Sequence, residues 1–204
     1  MTPGRSALLR LLAWVVLLLG VLAQRPLSTA QPPFDPSGLP VLEVGDWLFR
    51  LGTAMDSVLI REASGGDYSH VGMVVATTPR ILIVHATTDD DPRHPDQVLL
   101  SPLEDFLQPA LARRFAIARP IFLAEPLRAR IAADLRSQTG QPFLLESREL
   151  PHRYCTTLLA ELIQAHDPAF APRWTRLDLP LFRGDYLLPS ALAEYPGLEW
   201  IYRQ

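Results

Sequence analysis

Arg153-Tyr154-Cys155-Thr156-Thr157-Leu158-Leu159-Ala160-Glu161-Leu162-Ile163 contains the only cysteine of the 204-residue chain, and the reading of this stretch decides the rest. A lone cysteine forms no intramolecular disulfide, so its thiol is either a small buried hydrophobe or a reactive group. Leu158, Leu159, Leu162 and Ile163 follow Cys155 at the spacing of one helical face, while Thr157, Glu161 and Gln164 fall elsewhere on the wheel. The spacing predicts an amphipathic helix that begins at Cys155 on its buried side. Core packing is the commoner use of such a residue. At a helix N-terminus, however, the unpaired N–H groups and the macrodipole favour a thiolate, which predicts a lowered thiol pKa, and they leave backbone donors for an oxyanion. A nucleophile of this kind requires a base.

Two histidines flank a β-hairpin that would bring them together. Gly65-Gly66-Asp67-Tyr68-Ser69-His70-Val71-Gly72-Met73-Val74-Val75 is a turn followed by a β-rich run, and Ile81-Leu82-Ile83-Val84-His85-Ala86 is a second run after a short loop. Pairing of the two runs places His70 and His85 at the same end of the sheet. Alone, either histidine reads as a strand-end residue with a satisfied hydrogen bond. With a cysteine at a helix start elsewhere in the chain, the pair reads as a base and its orienting partner. His152 stands three residues before Cys155 and ranks below His70, because it lies on the incoming loop. His94 falls in a polar loop and His166 at a helix C-terminus, where a histidine suits the negative pole of the dipole.

The remaining sequence supplies the frame. Met1 to Ala30 has a basic start at Arg5 and Arg10, an apolar run from Leu11 to Ala23, and small residues ending two sites at Ala23 and Ala30. The run is shorter than the ~20 residues of a bilayer span, which favours a cleaved signal peptide over an anchor and implies export to the periplasm or beyond. Residues 31–40 carry four prolines and read as an extended lead-in. Residues 41–204 make one domain large enough for a core without disulfides or a structural metal. The net charge of −3 is spread along the chain, so no nucleic-acid footprint stands out, and no zinc-spaced Cys/His cluster, phosphate loop or repeat is present. Strands are expected at Trp47–Arg50, Val98–Leu100 and Arg114–Arg119, and helices at Asp56–Glu62 and Pro126–Gln138. Ser101-Pro102-Leu103-Glu104-Asp105 reads as an N-cap with proline in the first turn. The stretch from Trp174 to Tyr202 reads as proline-spaced aromatics with one short helix at Leu187–Leu192.

These residues resemble the circularly permuted branch of the papain-like NlpC-type cysteine hydrolases, with the YiiX-like proteins as the nearest pattern. The matching pieces are Gly45-Asp46, Asp67-Tyr68-Ser69-His70-Val71-Gly72-Met73, Val84-His85-Ala86, Gly140-Gln141-Pro142-Phe143 and Tyr154-Cys155-Thr156-Thr157-Leu158, in that order. The resemblance implies an α+β papain-like fold of permuted topology, a small antiparallel sheet or barrel packed on helices, with the histidine strand before the cysteine helix. It implies Cys155 as nucleophile, His70 as base, His85 as the group that orients the base, and no metal or cofactor. Tyr68, Ser69 and Tyr154 are the candidates for substrate or oxyanion contacts. The activity implied is hydrolysis of an amide or peptide bond, or of an ester, through a Cys155 acyl-enzyme, on peptides of the cell envelope. The alternatives are an acyl-lipid hydrolase or acyltransferase, and an envelope binding module without catalysis. Two positions depart from the pattern: His85 replaces a glutamate, and Phe143-Leu144 replaces Tyr-Asp. A neutral His85 can accept a hydrogen bond from His70, and its protonation in mild acid is expected to break that bond.

Overall fold

The structure, a computed structural model, describes residues 33–180 and 182–203, so the expected signal segment 1–30 lies outside the described residues. Runs of β-branched and aromatic residues form the strands β1 (Trp47–Leu51), β2 (His70–Ala76), β3 (Leu82–Thr87), β4 (Gln97–Pro102) and β5 (Arg114–Pro120). Between them lie the helices α1 (Met55–Ser64) and α2 (Leu103–Phe106). Two longer helices follow, α3 (Glu125–Ser137) and α4 (Cys155–His166). The chain closes with β6 (Thr175–Asp178), β7 (Arg183–Tyr186), α5 (Pro189–Ala193) and β8 (Leu198–Arg203).

Six strands form one antiparallel sheet in the order β4-β3-β2-β1-β5-β8, and β6 pairs β7 as a separate hairpin. The α+β class and the antiparallel sheet of the sequence reading are therefore present. The terminal segment holds more than aromatics: β8 lies beside β5, with Ala118 opposite Trp200. Its apolar and polar residues do not alternate cleanly, which hides it from a period-2 search. The lead-in also touches the fold, since the Phe34 ring stands edge-on to Phe115 at 5.4 Å. An aromatic contact of this kind outweighs the preference of a proline-rich segment to run free.

Alternation along the strands divides the apolar residues between two faces. Trp47, Phe49, Val71, Met73, Val84 and Ala86 pack with Ile131 and Leu135 of α3 and Leu158, Leu159 and Ile163 of α4. Leu48, Val74, Ile83 and Ile117 face the other way, toward Leu103, Phe106 and Leu107. Gly72 belongs to this second face. A Cβ there would stand 2.5 Å from Ile83 Cγ2 and 3.2 Å from His85 Cβ, so β2 and β3 approach closely only because the position is glycine.

Candidate active site

Arg50, His70, His85 and Ser101 form a line across the four adjacent strands β1 to β4. Arg50 stands directly opposite His70 in the register of β1 and β2. His70 Nε2 is 3.0 Å from His85 Nδ1, and His85 Nε2 is 2.9 Å from Ser101 Oγ. The Phe106 ring covers the line, with its centroid 4.6 Å from Arg50 Cζ, 5.7 Å from the His70 ring and 4.9 Å from the His85 ring. His85 is fully buried, so both its nitrogens need partners and both have them. Nε2 of His70 is engaged by His85, so Nδ1 is the ring nitrogen that this contact leaves over.

Cys155 arrives from the opposite side of the sheet as the first residue of α4. Tyr154 precedes it in an extended conformation and forms a reciprocal cap. Its N–H donates to Thr157 Oγ1 at 3.0 Å, and the Thr157 hydroxyl donates to the Tyr154 carbonyl at 3.2 Å. The Thr156 hydroxyl donates to the Leu187 carbonyl and ties the same turn to the segment before α5. Backbone N–H groups of Val71, Thr156 and Cys155 itself reach the sulfur, which places it beside the residue that follows His70. Cys155 and His70 both line a cavity of about 310 Å³, together with Arg50, Ser69, Asp90 and Tyr154. Much of the remaining wall is apolar, including Ile60, Leu111, Phe143, Leu145, Leu187 and Leu188.

The expected lowering of the thiol pKa does not occur. Burial pushes Cys155 up to about 11, and the three N–H groups and the Arg50 charge recover only part of that shift. The helix N-terminus is present, but loss of water around a residue 7% exposed outweighs it. His70 is held well below its usual range, by burial first, then by Arg50 and His85, with Asp90 acting in the opposite sense. The resting pair is thus a neutral thiol and a neutral imidazole. Burial also brings His85 down to about 3, although Asp90 opposes the shift. Protonation of His85 in mild acid, expected from the sequence, is moved below that range by the complete loss of solvent.

Asp90, from the loop after β3, completes the cluster. Both its carboxylate oxygens accept from Arg50, at 2.7 and 2.6 Å, and Oδ2 is 3.6 Å from His85 Nδ1. Burial alone would raise this carboxyl, but the charge and hydrogen bonds of Arg50 lead the effects that bring it down to about 2. His70, His85 and Asp90 offer ligand atoms within 4.8 Å of one another. The set fits a divalent cation poorly, because Arg50 occupies both Asp90 oxygens and would meet the metal with a like charge.

Of the candidates for substrate contact, Ser69 and Tyr154 line the cavity, whereas Tyr68 packs between Phe49 and Trp200 and does not. Ser69 Oγ accepts from the Gly52 N–H at 2.9 Å, and Tyr154 Oη accepts from the Leu187 N–H at 2.9 Å. The Tyr154 hydroxyl proton, kept on by burial, remains available to donate. His152 pairs with Glu161 at 2.9 Å and donates to or accepts from no cavity group, and His94 pairs with Asp91 on the surface.

Three residues of the cluster were not legible as such in the sequence. Ser101 reads as a helix cap, but α2 begins only at Leu103, and the hydroxyl turns to His85 instead. Asp90 sits in a run of three aspartates that reads as solvated loop. Arg50 carried the one available signal, a charge inside an otherwise apolar strand.

The fold is similar to that of the metalloprotein YiiX from Escherichia coli O157:H7, DUF1105. Its crystal structure matches with a TM-score of 0.65 and 19% identity, over 79% of this chain and 97% of that one. The chain therefore has a YiiX-like fold, as its motifs suggested. No protein-family model matches the chain, and no curated protein matches it.

Proposed function

We propose that the protein is an exported cysteine hydrolase that cleaves an amide or ester bond through a Cys155 acyl-enzyme, on a papain-like framework of permuted topology. The observation that carries this reading is the opening of Cys155 and His70 on one cavity, with the far nitrogen of His70 held by His85. When a carbonyl enters, His70 Nδ1 takes the thiol proton as sulfur attacks carbon, and the carbonyl electron pair moves onto oxygen. Burial penalises each charge by itself, but thiolate and imidazolium form together and offset one another. In this reading the oxyanion is received by the N–H groups of Cys155 and Thr156, which already reach the sulfur, with Tyr154 Oη as a further donor. Collapse breaks the bond to the leaving group, which takes its proton from His70. A water then gives a proton to His70, attacks the acyl carbon and releases acid and thiol.

Peptides of the cell envelope are the expected substrate, given the basic and apolar segment at residues 1–30. The apolar wall of the cavity supports a second reading, in which the transferred group is an aliphatic acyl chain from a lipid. YiiX is described as a metalloprotein, but a metal reading here requires Arg50 to leave Asp90. Incubation with muropeptides and with phospholipids, followed by mass spectrometry, separates the two substrates. Cys155→Ala and His70→Ala are each expected to lower turnover at least ~100-fold while the protein stays folded. Unchanged turnover of either substrate in Cys155→Ala rules the reading out, and a biological role left intact by Cys155→Ala points to a binding module.

A further inference from the structure

Arg50 and Asp90 are two opposite charges, 5% and 8% exposed, brought against an uncharged pair of histidines. A buried ion pair is a poor source of stability, because removing two charges from water offsets most of their attraction. Its position is more informative than its energy. Arg50 is the cross-strand partner of His70, and its other nitrogen donates to the Phe106 carbonyl at 2.7 Å, which fixes the guanidinium beside the ring. Asp90, bonded to Arg50, also stands 3.6 Å from His85 Nδ1 and within 4.8 Å of the His70 ligand atom. A proton that arrives on His70 therefore has both a fixed cation and a fixed carboxylate close by.

The groups that face His70 can be named element by element. They are Arg50 from β1, His85 from β3, Asp90 from the loop after β3, and Cys155 from α4, with the uncharged Phe106 ring from α2. Asp90 is the one carboxylate among them. We infer that Arg50 and Asp90 are positioning residues that act as opposed charges, Asp90 favouring the imidazolium of His70 and Arg50 limiting it, so that the base is neutral at rest and is charged only during attack. This inference deepens the proposed hydrolase reading, but its test does not depend on turnover.

In a Cys155→Ala background the thiol no longer couples to the imidazole, and His70 titrates alone in an NMR experiment on isotope-labelled protein. Asp90→Asn leaves Arg50 unopposed and is expected to lower the His70 midpoint, or carry it below the accessible range. Arg50→Met leaves Asp90 unopposed and is expected to raise it. Charges within ~4–6 Å move a pKa by roughly one to three units, so the two midpoints separate by at least about one unit in opposite directions. Arg50→Met could destabilise the fold by stranding a buried carboxylate. The double variant Arg50→Met/Asp90→Asn strands no charge, and its midpoint is expected to return to within about half a unit of the parent. Arg50→Lys keeps the sign and is expected to leave the midpoint close to the parent. Coincident midpoints, or single variants that shift in the same direction, overturn the inference and reduce the pair to a tie between β1 and the β3–β4 loop. Opposed shifts in a protein without hydrolytic activity would instead sustain the inference and sink the catalytic reading.

Discussion

His70 Nε2 and His85 Nδ1 stand 3.0 Å apart, and the second nitrogen of His85 continues to Ser101 Oγ at 2.9 Å, so one fully buried imidazole joins His70 to a hydroxyl two strands away. Because His85 is neutral far into acid, the link survives across the range in which an ordinary histidine would break it.

The pH dependence of stability follows with a definite sign. His85 has its folded pKa depressed to about 3 from 6.5, so the unfolded chain takes up this proton first as pH falls. The stability tied to its neutral form is complete above the unfolded value of 6.5 and is lost as pH falls toward about 3, at ~1.4 kcal/mol per unit. Urea unfolding between about pH 4 and 7 should therefore give a shallower slope for His85→Gln than for wild type. Parallel slopes would show that the imidazole is not buried as neutral.

Cys155 is expected to be a slow thiol at rest. With its pKa pushed up to about 11, iodoacetamide should alkylate it at neutral pH more slowly than a cysteine in an unstructured peptide, and faster as the pH approaches that value. A rate above that of the peptide at neutral pH would mean that a thiolate–imidazolium pair already exists in the free protein.

Ser101→Ala removes the acceptor or donor at His85 Nε2 and leaves that nitrogen without its partner in the interior. The expected cost is about 1–3 kcal/mol of stability, with turnover reduced because His70 loses its fixed orientation. Ser101→Thr keeps the hydroxyl and should recover most of both. Equal behaviour of the alanine and threonine variants in melting temperature and turnover would assign the serine to the strand alone.

Gly72→Ala tests the close approach of β2 and β3. The new methyl would meet Ile83 Cγ2 at 2.5 Å and His85 Cβ at 3.2 Å, so the strands must part. A loss of about 1–3 kcal/mol is expected, accompanied by a changed His70 titration, because His85 is pushed with its strand. A destabilised variant whose His70 titrates as in wild type would separate packing from alignment.

How much of this could be read in advance depended on the range of the interaction. The helix at Cys155 and the hairpin at His70 and His85 announce themselves by local periodicity, and the motifs around them pointed to the YiiX-like fold. Ser101 misled because its neighbours Pro102 and Glu104 also make a good helix start, and only the tertiary partner His85 decided between the two uses. Asp90 and Arg50 are 40 residues apart and meet through strand order, which no local window contains. Burial, finally, reversed the thiol shift suggested by the helix dipole, since a sequence records that a residue starts a helix but not how dry its surroundings are.

The sulfur belongs to a helix packed on one face of the sheet, while the imidazole belongs to a strand 85 positions earlier, by the difference of 155 and 70. Contacts between segments so distant form only after the intervening chain has collapsed, at a cost in loop-closure entropy. During synthesis, β1 to β5 can pair before α4 has emerged, so the imidazoles line up with no thiol beside them. A nascent chain therefore carries the histidines without the sulfur, and the cavity that both line is complete only once the last large helix has docked.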